Sequence, residues 1–441
     1  MTTSLTHSAP PLSSQASADL YRRIHWRLLP LLMICYLVAC LDRINIGYAQ
    51  LQMKATLPFG DAVYGLGAGI FFIGYFLCEV PSNLLLEKIG LRKTLLRIMT
   101  CWGLVAAGMM FVSTPTEFYV MRFLLGVFEA GFFPGVVLYF TYWYPSSQRG
   151  KAMAIFGAAA VASTVLAGPL CGSILKYFNG TYGYAGWQWL FVLQGLPAVF
   201  LGVIAYYYLD DKPSQASWLT AAEKHWLGEQ VARDQSAIAS GRHSGNRDLM
   251  RDPKVYLLAL VNFLKIGATY AMVFWLPSLI KSWGVHDMVL IGWYAAIPNL
   301  CGMFGMVLIC RHSDRQRERR WHFVGSIGIA AIGLLITIWS IGNLTMSLLG
   351  MSIASVGVAA TTPLFITIVT EYLSKNSSAV GIGLITSLGM LGAAASPVAT
   401  GMITARSGSV APALYLVITL YLLAGLLLAW TIRPARAQRT L

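Results

Sequence analysis

Along the chain, long apolar runs alternate with short polar breaks, and the alternation repeats twelve times. The runs fall at about 28–50, 62–86, 94–113, 117–143, 151–176, 187–209, 255–280, 289–310, 322–341, 344–371, 378–404 and 411–433. Each is near the ~20 residues that an α-helix needs to cross the hydrocarbon core of a bilayer. A helix is the expected form, because no water is available there to satisfy a bare backbone. Gly and Pro recur inside the runs, which membrane helices tolerate when neighbours satisfy the freed backbone groups. The pattern predicts an all-α membrane protein of twelve transmembrane helices. Composition turns polar between about 210 and 254, dividing the helices six and six. The expected organisation is a tail over 1–27, a six-helix bundle over 28–209, a linker over 210–254, a second bundle over 255–433 and a tail over 434–441. Residues 1–20, rich in Ser, Thr, Ala and Pro, are expected to be disordered. In the linker, Thr220-Ala-Ala-Glu223 forms a capping box for a short surface helix over 221–234, with Trp226 and Leu227 toward the membrane or the bundle.

Composition agrees with the pattern: 56% of the 441 residues are hydrophobic and 11% charged, against about a quarter charged in soluble proteins. The net charge of +14 invites a nucleic-acid partner, but the positions of the charges argue against one. Most of the 32 basic residues lie in the two termini and in the connections after the second, fourth, sixth, eighth and tenth runs. The other side holds Lys54, Lys176, Lys281 and Arg406. Such a skew is the positive-inside rule, and it predicts an inner-membrane protein with both termini in the cytoplasm. The seven cysteines lie inside apolar runs without CxxC spacing, so they read as packing residues. No HExxH motif and no Gly-rich phosphate loop is present. No enzyme, metal or organic cofactor is therefore expected.

Charges inside the apolar runs carry the chemistry. Arg122 and Glu129 are seven residues apart, two helical turns, and so share one face. Asp42 and Arg43 close the first run. A charge at bilayer depth costs from roughly 3 to over 10 kcal/mol, so it faces a partner or a wet cavity. Counted at 1.5 Å per residue, Asp42 lies ~21 Å along the first helix, while Arg122 and Glu129 lie ~8 and ~18 Å from the outer surface along the fourth. All four can then meet in the outer half of one cavity. With both carboxylates ionised, the arginines are neutralised. Protonation frees a guanidinium, whose planar fork suits a carboxylate substrate. Proton and anion then assist each other's binding, which is the logic of symport. This assigns proton coupling to Asp42 and Glu129 and anion binding to Arg43 and Arg122, with a structural ion pair as the plainer reading of each carboxylate. Lys265, ~15 Å into the seventh run, either binds a second carboxylate or snorkels to the inner surface. Tyr36, Tyr75, Tyr139 and Tyr270 are candidates to line the cavity. Glu79 lies nearer the cytoplasmic end.

The halves echo each other. Aligning Pro134 with Pro363 brings Thr141 onto Thr370 and puts Gly168-Pro169 within one residue of Ser396-Pro397. Internal repeats with a site between them are a common plan of secondary transporters.

Asn83-Leu-Leu-Leu-Glu87-Lys88-Ile-Gly90-Leu-Arg92-Lys93 resembles the signature cytoplasmic loop of the major facilitator superfamily, and Asp314-Arg315 through Arg319-Arg320 occupies the equivalent place in the second half. The resemblance implies the two-bundle major facilitator fold and a charge latch of Glu87, Lys88, Arg92, Asp314, Arg315 and Arg319. The stretches LDRINIGYA (41–49), YFLCEVPSNLLLEKIG (75–90), RFLLGVFEAGFFPG (122–135), GWQWLFVLQGLPAV (186–199), FWLPSLIK (274–281) and RHSDRQRERRWH (311–322) are similar to the anion:cation symporter family within it. Members carry tartrate, phthalate, hydroxyphenylacetate, sugar acids and similar anions with protons. That implies uptake of a small organic carboxylate by a monomer in the lipid bilayer, with the proton as coupling ion. In the family, carboxylates matching Asp42 and Glu129 carry the proton. Lys265 departs from the family's pattern. The alternatives are a proton-antiport exporter, which Ala167-Gly168-Pro169 partly fits, and a transporter-like membrane sensor.

Overall fold

The structure is a computed structural model that describes residues 13–239, 249–373 and 378–432. Twelve helices long and apolar enough to span a bilayer are present among them. The first half holds α1 (Ser14–Thr56), α2 (Asp61–Ile89), α3 (Leu91–Phe111), α4 (Pro115–Trp143), α5 (Ser146–Tyr177) and α6 (Gly186–Tyr208). The second holds α7 (Pro253–Ser282), α8 (Met288–Gln316), α9 (Arg320–Trp339), α10 (Leu344–Tyr372), α11 (Val380–Ser407) and α12 (Ala411–Thr431).

The first helix begins earlier than its apolar run. Residues 14–27, expected as tail and in part as disordered chain, continue α1 because Leu20, Tyr21 and Ile24 find buried places. The linker meets this extension at Tyr21 and Arg23. Its helix Ala221–Ala239 starts at the capping box, with Glu223 N donating to Thr220 Oγ1 at 3.3 Å and Thr220 N to Glu223 Oε2 at 2.9 Å. It then docks on the first bundle. Leu227 is buried, and the Trp226 ring meets Tyr21 at 6.0 Å. Glu223 pairs with Arg23, while Asp234 accepts from the Ser146 amide at 3.0 Å and from Arg149 at 3.1 Å. Just ahead of the helix, Trp218 stacks on Trp143 at 5.7 Å. Trp226 and Leu227 thus face the bundle.

Within each half the helices pair closely, α2 with α4, α1 with α5 and α3 with α6, then α7 with α11, α8 with α10 and α9 with α10. The halves meet along two main seams, α2 against α11 and α5 against α8, and also where the end of α1 meets α7. Both seams depend on missing side chains. A Cβ on Gly168 would lie 2.2 Å from the Gly292 carbonyl oxygen, and one on Gly65 would lie 2.5 Å from that of Pro397. The two motifs that the internal repeat superposes, Gly168-Pro169 and Ser396-Pro397, therefore sit at equivalent seams.

Most cross-half contacts lie toward the face opposite the linker. There Lys176 pairs with Asp287, and the Phe274 carbonyl accepts from Gln50 Nε2 at 2.8 Å and from Tyr64 Oη at 3.2 Å. Nearer the middle, Asn299 Nδ2 donates to the Thr164 carbonyl at 3.0 Å. Toward the linker face, the cross-half hydrogen bond among the described residues is Ser387 Oγ to Glu79 Oε2, at 3.2 Å. Among the described residues, the cross-half bonds thus concentrate on the face away from the linker.

Candidate functional site

Helix α4 breaks where the charges lie, and α1 is interrupted at a single residue that keeps helical dihedrals. The regular turns of α1 stop at Ile44 and resume at Ile46, with Asn45 between them. In α4, Ala130 turns extended and Gly131 takes a left-handed backbone, φ 90°, before Phe132 restarts the helix. A left-handed residue is costly for any side chain with a Cβ. Here a Cβ would also strike Ser82 Oγ at 2.4 Å.

Of the four intramembrane charges, two form a direct pair. Arg43 Nη2 is bonded to Glu129 Oε1. The Arg43 Nη1 donates to Tyr270 Oη on α7, at 3.3 Å, so this guanidinium touches both halves. It lies 5.3 Å from the Tyr75 ring centroid and 5.6 Å from that of Phe71. Glu129 is 1% exposed and its Oε2 has no partner, while the Arg43 side chain keeps 18% exposure.

Arg122 and Glu129 share a face but do not touch. Seven residues put about 10 Å of helix axis between them, and Arg43 reaches the carboxylate instead. Arg122 Nε donates to the Gly67 carbonyl on α2 at 3.2 Å, and its guanidinium lies 4.9 Å from the same Phe71 ring. Its Nη2 is buried without a partner. Asp42 points away from Arg43, since consecutive residues project about 100° apart on a helix. It faces α3, where Trp102 Nε1 donates to Oδ2 at 2.7 Å, and Asn45 Nδ2 donates to Oδ1 at 2.9 Å. The expected convergence of four side chains in one cavity thus becomes a seam pair, Arg43–Glu129, flanked by a hydrogen-bonded Asp42 and a separate Arg122.

The aromatic candidates divide likewise. Tyr75 and Tyr270 flank Arg43, and Tyr270 also packs on Phe72 at 4.6 Å. Tyr36 is half-buried and stacks on Phe156 at 4.6 Å. Tyr139 lies elsewhere: it is buried near the linker end of α4 and donates to the Asp210 carbonyl at 2.7 Å. Lys265, 2% exposed, donates to Thr362 Oγ1 on α10 at 3.1 Å and sits 5.2 Å from the Phe365 ring centroid. Its ammonium does not reach the surface by snorkelling.

At the linker face the two latch segments differ. Arg319 bonds Asp314 at 2.7 Å, Ser313 Oγ at 2.9 Å and approaches Glu371 at 3.6 Å. In the first half, Arg92 Nε donates to the Tyr206 carbonyl at 2.8 Å and its amide to Asp211 Oδ1 at 2.9 Å. Glu87, Lys88 and Arg315 are exposed. Sequence reasoning missed Asn45, Phe71, Trp102, Asp211 and Glu371. The two acids were findable, since they close the sixth and tenth apolar runs opposite the basic loops. The other three read as ordinary packing residues.

Two six-helix bundles that meet along a charged seam define a membrane carrier. The chain belongs to the Major Facilitator Superfamily, whose family model matches residues 32–397 and 286–440. It is 41% identical over 416 residues to a putative tartrate transporter of Agrobacterium vitis, covering 94% of this chain and 92% of that one. It is 39% identical to a quinolone resistance transporter of Acinetobacter baumannii, covering 94% and 95%. Among solved structures it resembles the inward open conformation of the xylose transporter XylE from E. coli, with a TM-score of 0.74 at 13% identity over 94% of this chain and 98% of that one. The protein is a transporter of this superfamily and not an enzyme.

Proposed function

We propose that the protein takes up a small organic carboxylate together with protons, and that Arg43 is the point for which the substrate anion and the Glu129 carboxylate compete. The observation that carries this reading is the Arg43–Glu129 pair at the seam, with one guanidinium nitrogen on Tyr270 of the other half and one Glu129 oxygen unpartnered. While Glu129 is ionised it occupies Arg43. Once Glu129 takes a proton, the partly exposed guanidinium is free for a substrate carboxylate, which it grips in bidentate fashion. Asp42 and Glu129 carry the coupling protons. Arg122 balances their charge, and Tyr36, Tyr75 and Tyr270 line the anion's place. The linker face is cytoplasmic on the distribution of basic residues, and the cross-half contacts on the opposite face support an inward-facing form. Kinship with a protein named as a tartrate transporter supports a hydroxy-dicarboxylate as the first substrate to try. Lys265, a buried cation held by a hydroxyl and a ring, is the second anchor for such a dianion.

The test is uptake of labelled tartrate and related mono- and dicarboxylates into proteoliposomes. Accumulation should rise with an inward proton gradient and collapse with an uncoupler. Uptake that follows sodium and ignores pH would sink the reading. A second reading, proton-driven export, is favoured by kinship with the quinolone resistance transporter. It predicts that an inside-acid proton gradient drives an aromatic drug into inside-out vesicles without moving any carboxylate.

A further inference from the structure

Asp42 is buried, and N–H groups take both of its carboxylate oxygens: Trp102 Nε1 at 2.7 Å and Asn45 Nδ2 at 2.9 Å. Among the described residues no arginine is bonded to it: Arg43 is bonded to Glu129, and Arg122 Nε donates to the Gly67 carbonyl. The other titratable groups acting on Asp42 are Arg122 and Glu129 of α4 and Cys171 of α5. A carboxylate held this way meets a difficulty when it takes a proton. Its new O–H needs an acceptor, and both neighbours present donors. The indole N–H can only donate. A carboxamide can do either, because half a turn about its terminal bond exchanges NH2 for C=O.

Asn45 is equipped for that exchange. Its Oδ1 is buried and has no partner, so the unused acceptor sits beside the donor in use. Its backbone is already satisfied, the amide on the Leu41 carbonyl and the carbonyl by the Tyr48 and Ala49 amides. The amide can therefore turn without moving the chain. We propose that Asn45 is a positioning residue that follows the charge of Asp42. It donates to the carboxylate, then turns to accept the O–H of the carboxylic acid, while Trp102 donates in both states. The proton comes from and returns to solvent, and no other reactant is needed. The inference rests on the assignment of a coupling proton to Asp42.

The experiment is pH-difference infrared spectroscopy on the purified full-length protein, which needs no substrate. Four samples are compared: wild type, wild type carrying asparagine labelled with 13C at the side-chain carbonyl, Asp42→Asn and Asn45→Val. Acidification of the wild type should raise a carboxylic-acid band that Asp42→Asn lacks. In the labelled sample an asparagine carbonyl band should shift with the same pH midpoint, and that shift should also be missing from Asp42→Asn. In Asn45→Val the acid band should move to higher frequency, its O–H having lost an acceptor. In proteoliposomes, proton-driven accumulation by that variant should fall about tenfold, the cost of one unmade buried hydrogen bond, with exchange far less affected. A merely structural Asn45 would lower both together and leave the band in place. An acid band with no accompanying asparagine shift in the wild type overturns the inference even if Asn45→Val fails to fold. If Asp42→Asn keeps both the acid band and proton-driven accumulation, the assignment of Asp42 has failed and the inference falls with it.

Discussion

The halves of this transporter share a helical plan but divide the chemistry unequally. In the first half, Asp42, Arg43, Arg122 and Glu129 lie on α1 and α4, and Glu79 follows one turn past Tyr75 on α2. In the second half, Lys265 stands on an unbroken α7 against a hydroxyl and a phenyl ring. The linker face reverses the contrast. There the second half has a joined network, Asp314–Arg319–Glu371, while Glu87 and Lys88 of the first half stay exposed. A repeated fold thus distributes its charges unequally among the described residues: one bundle holds buried carboxylates and arginines, and the other a lone buried lysine and an ion-pair network at the linker face. Arg43 joins them, because it alone of the intramembrane cations hydrogen-bonds across the seam among the described residues.

The largest expected effect tests the charged half. Arg43→Ala leaves Glu129 buried without its ion-pair partner, typically a cost of 3–5 kcal/mol. Both uptake and exchange in proteoliposomes should be lost. Glu129→Gln should abolish proton-driven accumulation yet leave measurable exchange, because exchange needs no deprotonation. Wild-type accumulation by Glu129→Gln would remove Glu129 from the coupling machinery.

Next comes the cation of the other half. If Lys265 anchors the second carboxylate, Lys265→Met should weaken a dicarboxylate at least tenfold, about 1.4 kcal/mol. A monocarboxylate analogue should change little, as measured by competition for uptake. Equal effects on both, or none, would make Lys265 a structural lysine and dissolve the division of labour.

The latch gives a smaller contrast. Arg319→Gln takes the charge from a network of two carboxylates and should cost about 1.5 kcal/mol, roughly tenfold in the equilibrium that it holds. Uptake rates would fall accordingly, whereas Glu87→Gln, at an exposed acid, should have much the weaker effect. Equal losses would mean that both latches are closed in turn during the cycle.

The smallest effect is expected at the opposite face, where Lys176 and Asp287 join the halves. The Lys176 hydrogen bond, helped by the Leu290 and Val289 amides, holds the Asp287 carboxyl below its usual range. A lowered folded value means that the contact is at full strength above an ordinary aspartate value of about 4 and is lost only as pH falls through the lowered one. Between about pH 5 and 8 it is constant. Asp287→Asn should shift uptake rates a few-fold at most, as for other exposed pairs, and keep the shape of the pH profile. A changed profile would move part of the pH dependence from the buried carboxylates to this gate.

The sequence by itself determined the twelve helices, their division into two halves and the residues that needed explaining. Each follows from a cost that acts locally: bare backbone or unpaired charge in hydrocarbon is expensive wherever it falls. The repeat of Gly168-Pro169 at Ser396-Pro397 even marked both seams. Partnership was another matter. Periodicity put Arg122 and Glu129 on one face, yet it could not tell that Arg43, 86 residues away in sequence, would reach Glu129 first. Nor could it turn Asp42 toward Trp102, or show that Tyr21 and Arg23 meet the linker helix. Those outcomes depend on how α1, α2, α3 and α4 stack, which the missing side chain of Gly126 helps to set, since a Cβ there would lie 1.9 Å from the Phe71 carbonyl oxygen. A one-residue step around a helix swings a side chain by 100°, and only the packed neighbours decide which charge it meets.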